Sequence, residues 1–136
     1  MFVLDTNVVS EVRRPEKANP KVAAWALSLP LASFFLSAIT VLELEIGALS
    51  IERKDRAQGL VLRSWLDNQV LPRFDGRIIP VDTAVAQRGA RLHVPDPRAE
   101  RDALIAATAL VHGMTVVTRN TADFQTSGAR LLDPWA

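Results

Sequence analysis

The chain has 136 residues, of which 49% are hydrophobic and 23% charged, and its net charge is +1, so it can bury one core and is unlike a disordered protein. Cysteine is absent and there are two histidines, which excludes disulfides, thiol catalysis and a Cys/His zinc site. Because the sequence has neither an apolar run of about 18 residues nor a secretory signal, we expect a cytoplasmic protein without a membrane span.

Short apolar segments alternate with amphipathic ones along the whole chain. In chain order we predict a strand (residues 2–4), helices (7–14 and 20–29), a strand (33–37), helices (40–49 and 53–71), a strand (77–81), helices (84–92 and 99–112) and strands (114–118 and 129–132). Asn19 followed by Pro20, and Asp82 or Thr83, are predicted helix starts, and Gly113 is a predicted helix end.

The predicted strands are apolar throughout instead of alternating between apolar and polar residues. Such strands, separated by helices, are typical of a parallel sheet that is covered on both faces. We therefore predict a single domain over residues 1–136 with an α/β fold, a three-layer α/β/α sandwich around a central, mainly parallel sheet. In open parallel sheets the functional crevice lies at the carboxyl ends of the strands.

Four carboxylates lie where apolar elements begin or end: Asp5, Glu43, Asp102 and Asp123. Asp5 directly follows the first strand, and Asp123 belongs to the loop after the fourth. Because the carboxyl ends of parallel strands lie at the same edge of a sheet, these two loops should lie at the same edge. Carboxylate oxygens are preferred ligands of Mg²⁺ and Mn²⁺, so a cluster of these acids predicts a metal site for phosphoryl-transfer chemistry.

Each acid also has a purely local explanation. Asp5 can form a turn or cap a helix, and Asp123 can form a turn in a polar loop. Glu43 can complete a capping box with Thr40, and Asp102 can be stabilised by the positive end of the helix dipole if it lies in a first turn. Asn120 is a competing ligand in the same loop as Asp123, so the residues alone leave the fourth position open.

The ordered motifs resemble those of a known family more specifically than the acids do singly. The matching segments are residues 4–11 (LDTNVVSE), 37–44 (SAITVLEL), 102–109 (DALIAATA) and 117–124 (VTRNTADF). Together they resemble the PIN domain, and within it the VapC-type toxins of bacterial toxin–antitoxin pairs, in the FitB-like branch. The ending at residues 133–135 (DPW) also resembles that branch.

The resemblance implies a metal-dependent ribonuclease that uses Mg²⁺, with Mn²⁺ possible. It assigns the catalytic and metal-binding positions to Asp5, Glu43, Asp102 and Asp123. Supporting polar roles fall to three further residues, Thr6, Asn7 and Asn120. Because some FitB-like members carry an acid at the position of Asn120, Asp123 and Asn120 remain rivals.

The resemblance also implies partners. We expect neutralisation by a cognate antitoxin of the VapB or FitA type, often with a ribbon-helix-helix DNA-binding domain, and contact with operator DNA only through that antitoxin. RNA is the expected substrate and a homodimer the expected assembly. A regulatory binding module, acting mainly as antitoxin partner on DNA, is the alternative function, although it would need no full set of acids. A generic metal phosphatase would want an Asp-x-Asp start, which Asp5-Thr6-Asn7 lacks.

Overall fold

The computed structural model describes residues 1–136, and its centre is a five-stranded sheet in the order β3-β2-β1-β4-β5. Every pair of neighbouring strands is parallel. The strands are β1 (Phe2–Leu4), β2 (Phe34–Ser37), β3 (Ile78–Ile79), β4 (Thr115–Val117) and β5 (Leu131–Leu132). All five predicted strands are present, and four are shorter than predicted.

Eight α-helices surround the sheet. They are α1 (Thr6–Glu11), α2 (Pro20–Leu27), α3 (Ala38–Lys54), α4 (Arg56–Trp65), α5 (Leu71–Arg73), α6 (Thr83–Leu92), α7 (Glu100–His112) and α8 (Thr121–Phe124). A π-helical segment, Leu66–Val70, joins α4 to α5. None of the helices combines the length and apolar character needed to cross a lipid bilayer.

The sheet separates two hydrophobic cores. Val3 and Val116 lie in the core that contains Phe124 and the alanines of α7, whereas their strand neighbours Leu4 and Val117 lie in the core on the opposite face. Successive side chains of a strand point to opposite faces, so both faces of the sheet are covered. This arrangement confirms the predicted three-layer α/β/α sandwich.

Two helix boundaries differ from the prediction. The prediction of a capping box between Thr40 and Glu43 is wrong, because α3 begins two residues before Thr40. The Ser37 hydroxyl caps this helix by accepting a hydrogen bond from the Ile39 amide at 3.1 Å. The helix predicted over residues 53–71 does not begin at Arg53, which belongs to α3. Asp55, in an extended conformation, ends α3 and caps α4 through the Gln58 amide.

Other helix signals are confirmed. Asn19 caps α2 and Asp82 caps α6, in each case by accepting a hydrogen bond from a backbone amide of the first turn. Gly113 ends α7 with φ +65°, a left-handed conformation that favours glycine at this position. The spacing of caps therefore predicts these helices to within a few residues.

The direction of winding reverses between β1 and β4. From β1 the chain adds β2 and β3 on one side, and then β4 and β5 on the other side. In open α/β sheets, the crevice outside the carboxyl ends of the strands at such a reversal is the usual ligand site. The residues directly after β1 and β4 are Asp5 and Thr118, so both lie at this crevice.

Candidate metal centre

Asp5 occupies the centre of the crevice and is held in a fixed orientation. Its side chain is buried, with 6% of the residue exposed. Oδ1 accepts a hydrogen bond from the Thr6 amide at 2.8 Å, and Oδ2 accepts one from the Thr118 hydroxyl at 2.8 Å and one from Asn7 Nδ2 at 3.3 Å. Three donors therefore compensate part of the cost of burying this carboxylate.

Thr118 is a residue of the crevice that the sequence analysis did not single out. It is fully buried, and besides donating to Asp5 its hydroxyl accepts a hydrogen bond from the Asn120 amide at 3.0 Å. The signal was available in the strand pattern, since Thr118 follows β4 as Asp5 follows β1. In a parallel pair whose register matches Leu4 with Val117, these two residues are neighbours.

Glu43 is joined to Asp5 through a single residue. The Thr6 amide donates to Asp5, and the Thr6 hydroxyl donates to Glu43 Oε1 at 2.8 Å. On its other side, Glu43 Oε2 lies 3.8 Å from Arg101 Nη1, in an ion pair whose arginine side chain is half exposed to solvent. The side chain of Glu43 therefore points from α3 towards Asp5 and the crevice.

Asp102 and Asp123 approach the crevice from the helical layer. Both line one cavity of about 190 Å³ together with Arg98, Phe124 and Ser127. Asp102 lies in the first turn of α7, as predicted, and the alanines that follow it are buried against the sheet. No protein group donates a hydrogen bond to either carboxylate, so their oxygens are available to a ligand.

The pKa values of Asp5 and Asp102 reflect their burial and the proximity of the other acids. Burial raises the pKa of Asp5 above its usual value, the Thr118 and Thr6 hydrogen bonds oppose this rise, and the charges of Glu43 and Asp123 add to it. Burial likewise raises the pKa of Asp102 to about 6, with further contributions from the charges of the other three acids. All four carboxylates therefore contribute to one region of negative potential.

This region suits a hard divalent cation. The side-chain ligands on offer are carboxylate oxygens, with the Asn7 amide and the Thr118 hydroxyl behind Asp5. No group of three or more acidic or histidine side chains converges closely enough to hold a metal ion by itself. Mg²⁺ keeps several of its water ligands and usually takes only one or two carboxylates. The open arrangement therefore fits a partly hydrated cation. Such a cation would offset the repulsion among the acids, which adds to burial in raising the pKa values of Asp5 and Asp102.

Asn7 and Asn120 occupy different positions relative to Asp5. Asn7 bridges two strand ends, because Nδ2 donates to Asp5 while Oδ1 accepts from the Arg119 amide at 3.3 Å. Asn120 is exposed and precedes α8, and its backbone amide, not its side chain, contacts Thr118. Asp123 is the residue of this loop whose charge acts on both Asp5 and Asp102.

The fold and the crevice can be compared with known proteins. A family model described as PIN domain matches residues 2–126. The chain belongs to the PIN-domain family. Toxin FitB of Neisseria gonorrhoeae is 42% identical over 99% of both chains, and VapC ribonuclease Y4jK of Sinorhizobium fredii is 35% identical over 99% of this chain and 98% of that protein. The resemblance drawn from the four motifs is thereby confirmed.

Solved structures agree with the sequence relatives. The structure of FitAcB from Neisseria gonorrhoeae superposes with a TM-score of 0.90 at 40% identity and covers 99% of both chains. That of FitAB bound to the IR36 DNA fragment superposes with a TM-score of 0.85 at 38% identity, over 100% of this chain and 96% of that chain. PIN-domain nucleases generally depend on divalent metals, in keeping with the oxygen ligands of the crevice.

Proposed function

We propose that this chain, over residues 1–136, is one PIN domain that acts as the endoribonuclease toxin of a type II toxin–antitoxin pair. The observation that carries the proposal is the convergence of four acids at the point where the winding of the sheet reverses. A binding module needs no such set of mutually repelling carboxylates, and a buried acid with a raised pKa, such as Asp5, is typical of a functional site. The identity to FitB and to a VapC ribonuclease supports the same assignment.

Asp5, Glu43, Asp102 and Asp123 are the proposed metal-binding and catalytic residues. When bound, a divalent cation supplies positive charge that activates a water molecule and stabilises charge developing on the scissile phosphate. The fixed orientation of Asp5 and the free oxygens of Asp102 and Asp123 would hold this cation at the crevice. Mg²⁺ is the proposed ion, with Mn²⁺ as an alternative, because both prefer oxygen ligands.

Three polar residues support these acids without being proposed as ligands. Thr6 orients Asp5 and Glu43 together through its amide and its hydroxyl. Asn7 and Thr118 fix the second oxygen of Asp5. Residues that hold metal ligands in place through hydrogen bonds have a large effect on metal affinity.

Between the two rivals in the last loop, we propose Asp123 as the fourth acid. Its carboxylate shares a cavity with Asp102 and its charge acts on two of the other acids. Asn120 would then serve through its backbone, since its amide donates to Thr118. Substitutions at the two positions distinguish these roles.

The proposed partners follow from the relatives. The related FitAB complex is bound to a DNA fragment in its solved structure. We propose that this chain pairs in the cytoplasm with an antitoxin that carries the DNA-binding domain, of the ribbon-helix-helix type, and that it reaches operator DNA only through that antitoxin. We further propose that the toxin forms a homodimer.

Expression without antitoxin tests the proposed function in cells. Induction of the wild-type chain should arrest growth and produce new RNA ends, which sequencing of RNA termini would map. The Asp5→Ala variant, produced at the same level, should do neither. Equal growth arrest by both proteins, without new RNA ends, would instead favour the regulatory binding module.

A further inference from the structure

A polar hollow adjoins the acidic crevice on the side of α1. It has a volume of about 330 Å³ and no apolar lining residue, and it is formed by Asn7, Ser10, Glu11, Arg13, Arg14 and Lys17. Three of these six side chains are cationic and one is acidic. The hollow is therefore basic although the whole chain is nearly neutral.

The acidic residue of the hollow is already engaged. Glu11 Oε2 accepts a hydrogen bond from the Asn19 amide at 3.0 Å. This contact ties the end of α1 to the cap of α2, and so holds the connecting segment that carries Arg14 and Lys17. Glu11 thus helps to position Arg14 and Lys17, and one of its carboxylate oxygens is occupied by a backbone hydrogen bond.

The cations of the hollow have no acidic partner within the chain. The ion pairs of the structure involve Arg63 and Arg101, whereas Arg13, Arg14 and Lys17 form none. Arg13 instead packs over the ring of Trp65, with its guanidinium carbon 6.0 Å from the ring centroid. A cation–aromatic contact orients an arginine while it leaves donors free for an anion.

The hollow adjoins the crevice through Asn7. Asn7 lines the hollow, and the same side chain donates to Asp5 Oδ2. Arg13 also lines the neighbouring depression that contains Thr6 and Glu43. A strand lying across the acids would therefore meet these cations within a short distance.

We propose that this hollow binds the sugar-phosphate backbone of the RNA strand beside the bond that is cleaved at the acids. The inference rests on the proposed ribonuclease function and adds the side of the crevice along which the strand runs. Arginine and lysine contacts to phosphates supply most of the affinity for nucleic acids and carry little sequence preference. The hollow should therefore contribute affinity and register, whereas base preference would arise elsewhere.

The polar lining distinguishes RNA from a protein partner as the occupant. An amphipathic protein segment docks through apolar side chains, and the chain offers these in a separate groove that includes Trp25, Leu29 and Phe34. The hollow offers amide, hydroxyl and cationic groups, with one carboxylate, that of Glu11, which accepts a hydrogen bond from the Asn19 amide. These groups match phosphate and ribose oxygens.

The test combines binding and cleavage by two double variants. Arg14→Ala/Lys17→Ala removes two cations from the hollow, and Lys54→Ala/Arg56→Ala removes the same two residue types from the exposed junction of α3 and α4. Binding of a fluorescent single-stranded RNA is measured at several salt concentrations in the Asp5→Asn background, which prevents cleavage. Cleavage of the same RNA is measured in the otherwise wild-type chain.

Loss of two phosphate contacts should weaken RNA binding about tenfold at low salt and reduce the slope of log K against log salt by about 1.4, at roughly 0.7 per contact for single strands. Cleavage should fall mainly through a higher KM. The control variant should match the parent in both assays. Unchanged thermal midpoints would show that both variants are folded.

The outcomes separate the two claims. If the wild type cleaves RNA and the two double variants bind and cleave alike, the hollow is not an RNA site and the proposed function stands. If the Arg14/Lys17 variant cleaves normally but no longer co-purifies with the antitoxin, the hollow is a protein interface and the inference is overturned. If the wild type does not cleave RNA at all, the proposed function fails, and the salt slope alone decides whether the hollow binds RNA.

Discussion

The acidic crevice has two halves that differ in how their carboxylates are held. On the strand side, Asp5 accepts three hydrogen bonds and Glu43 accepts one, and Thr6 connects the two. On the helix side, Asp102 and Asp123 accept none from the protein and face a shared cavity. One half is preorganised by the protein, and the other is open to solvent.

This difference indicates how the crevice can tolerate so much negative charge. The strand side offsets the burial of Asp5 with neutral donors, which hold its oxygens in place before any cation arrives. The helix side has no such donors, and burial together with the charges of the other three acids raises the pKa of Asp102 to about 6. We infer that the strand side sets the geometry of metal binding and that the helix side supplies oxygens whose charge is neutralised only upon binding.

The largest expected effect comes from removing the charge of the preorganised half. Asp5→Asn keeps the shape of the side chain but removes a proposed metal ligand, so RNA cleavage should fall by about 10³-fold, the equivalent of about 4 kcal/mol. Burial raises the pKa of Asp5, which means that the charged carboxylate is unfavourable in the folded, metal-free protein. A neutral asparagine at this position should therefore not lower the free energy of unfolding in the absence of metal. Cleavage kinetics and thermal unfolding measure the two effects. Asp75→Asn, an exposed site, is the matched control.

A smaller loss of RNA cleavage is expected when Thr118, the residue that orients Asp5, is substituted. Thr118→Val keeps the shape of the side chain but removes the donor to Asp5 and the acceptor for the Asn120 amide. Metal affinity and cleavage should fall about 10–100-fold, and stability by about 1–3 kcal/mol because buried polar groups lose their partner. Thr118→Ser retains the hydroxyl and should recover most of the activity. Equal activity of the valine and serine variants would show that the hydroxyl does not orient Asp5.

Substitutions of Asp123 and Asn120 test which residue of the open half serves as the fourth ligand. Asp123→Asn should lower cleavage about tenfold, roughly 1.4 kcal/mol, because it removes a charged oxygen from the cavity shared with Asp102. Asn120→Ala should have a smaller effect, since the backbone amide that contacts Thr118 is unchanged. Titration of Mg²⁺ monitored by the thermal midpoint provides a second readout. The reverse order of effects would assign the fourth position to Asn120.

The smallest effect is a dependence of metal-free stability on pH. The pKa of Asp102 is raised to about 6 in the folded protein from 3.8, so the folded state binds more protons than the unfolded state between these values. Stability should therefore fall as the pH rises through 4 to 6, and Asp102→Asn should flatten this dependence. The change should be modest because Asp102 retains contact with water. Thermal melts in EDTA across this pH range measure it.

The sequence predicted the sheet and its cover on both faces, because apolar strands separated by helices carry that information locally. The metal-binding role of the four acids came from the resemblance and stays a prediction. The sequence misplaced the start of α3, since a Thr and a Glu at capping-box spacing are indistinguishable from residues inside the helix when a serine upstream is the actual cap. It also passed over Thr118, whose importance depends on the register of β1 against β4. Likewise, the polar hollow depends on a hydrogen bond between Glu11 and Asn19, which no local sequence pattern predicts.

Cleavage of a labelled RNA by the purified chain tests the central claim most directly. With Mg²⁺ present, the wild type should cut the RNA, and addition of EDTA or the Asp5→Asn substitution should each abolish cutting. Restoring Mg²⁺ in excess over EDTA should recover the wild-type activity but not that of the variant. Cleavage that persists in EDTA, or that is equal in the wild type and Asp5→Asn, would contradict a metal centre built on these four acids.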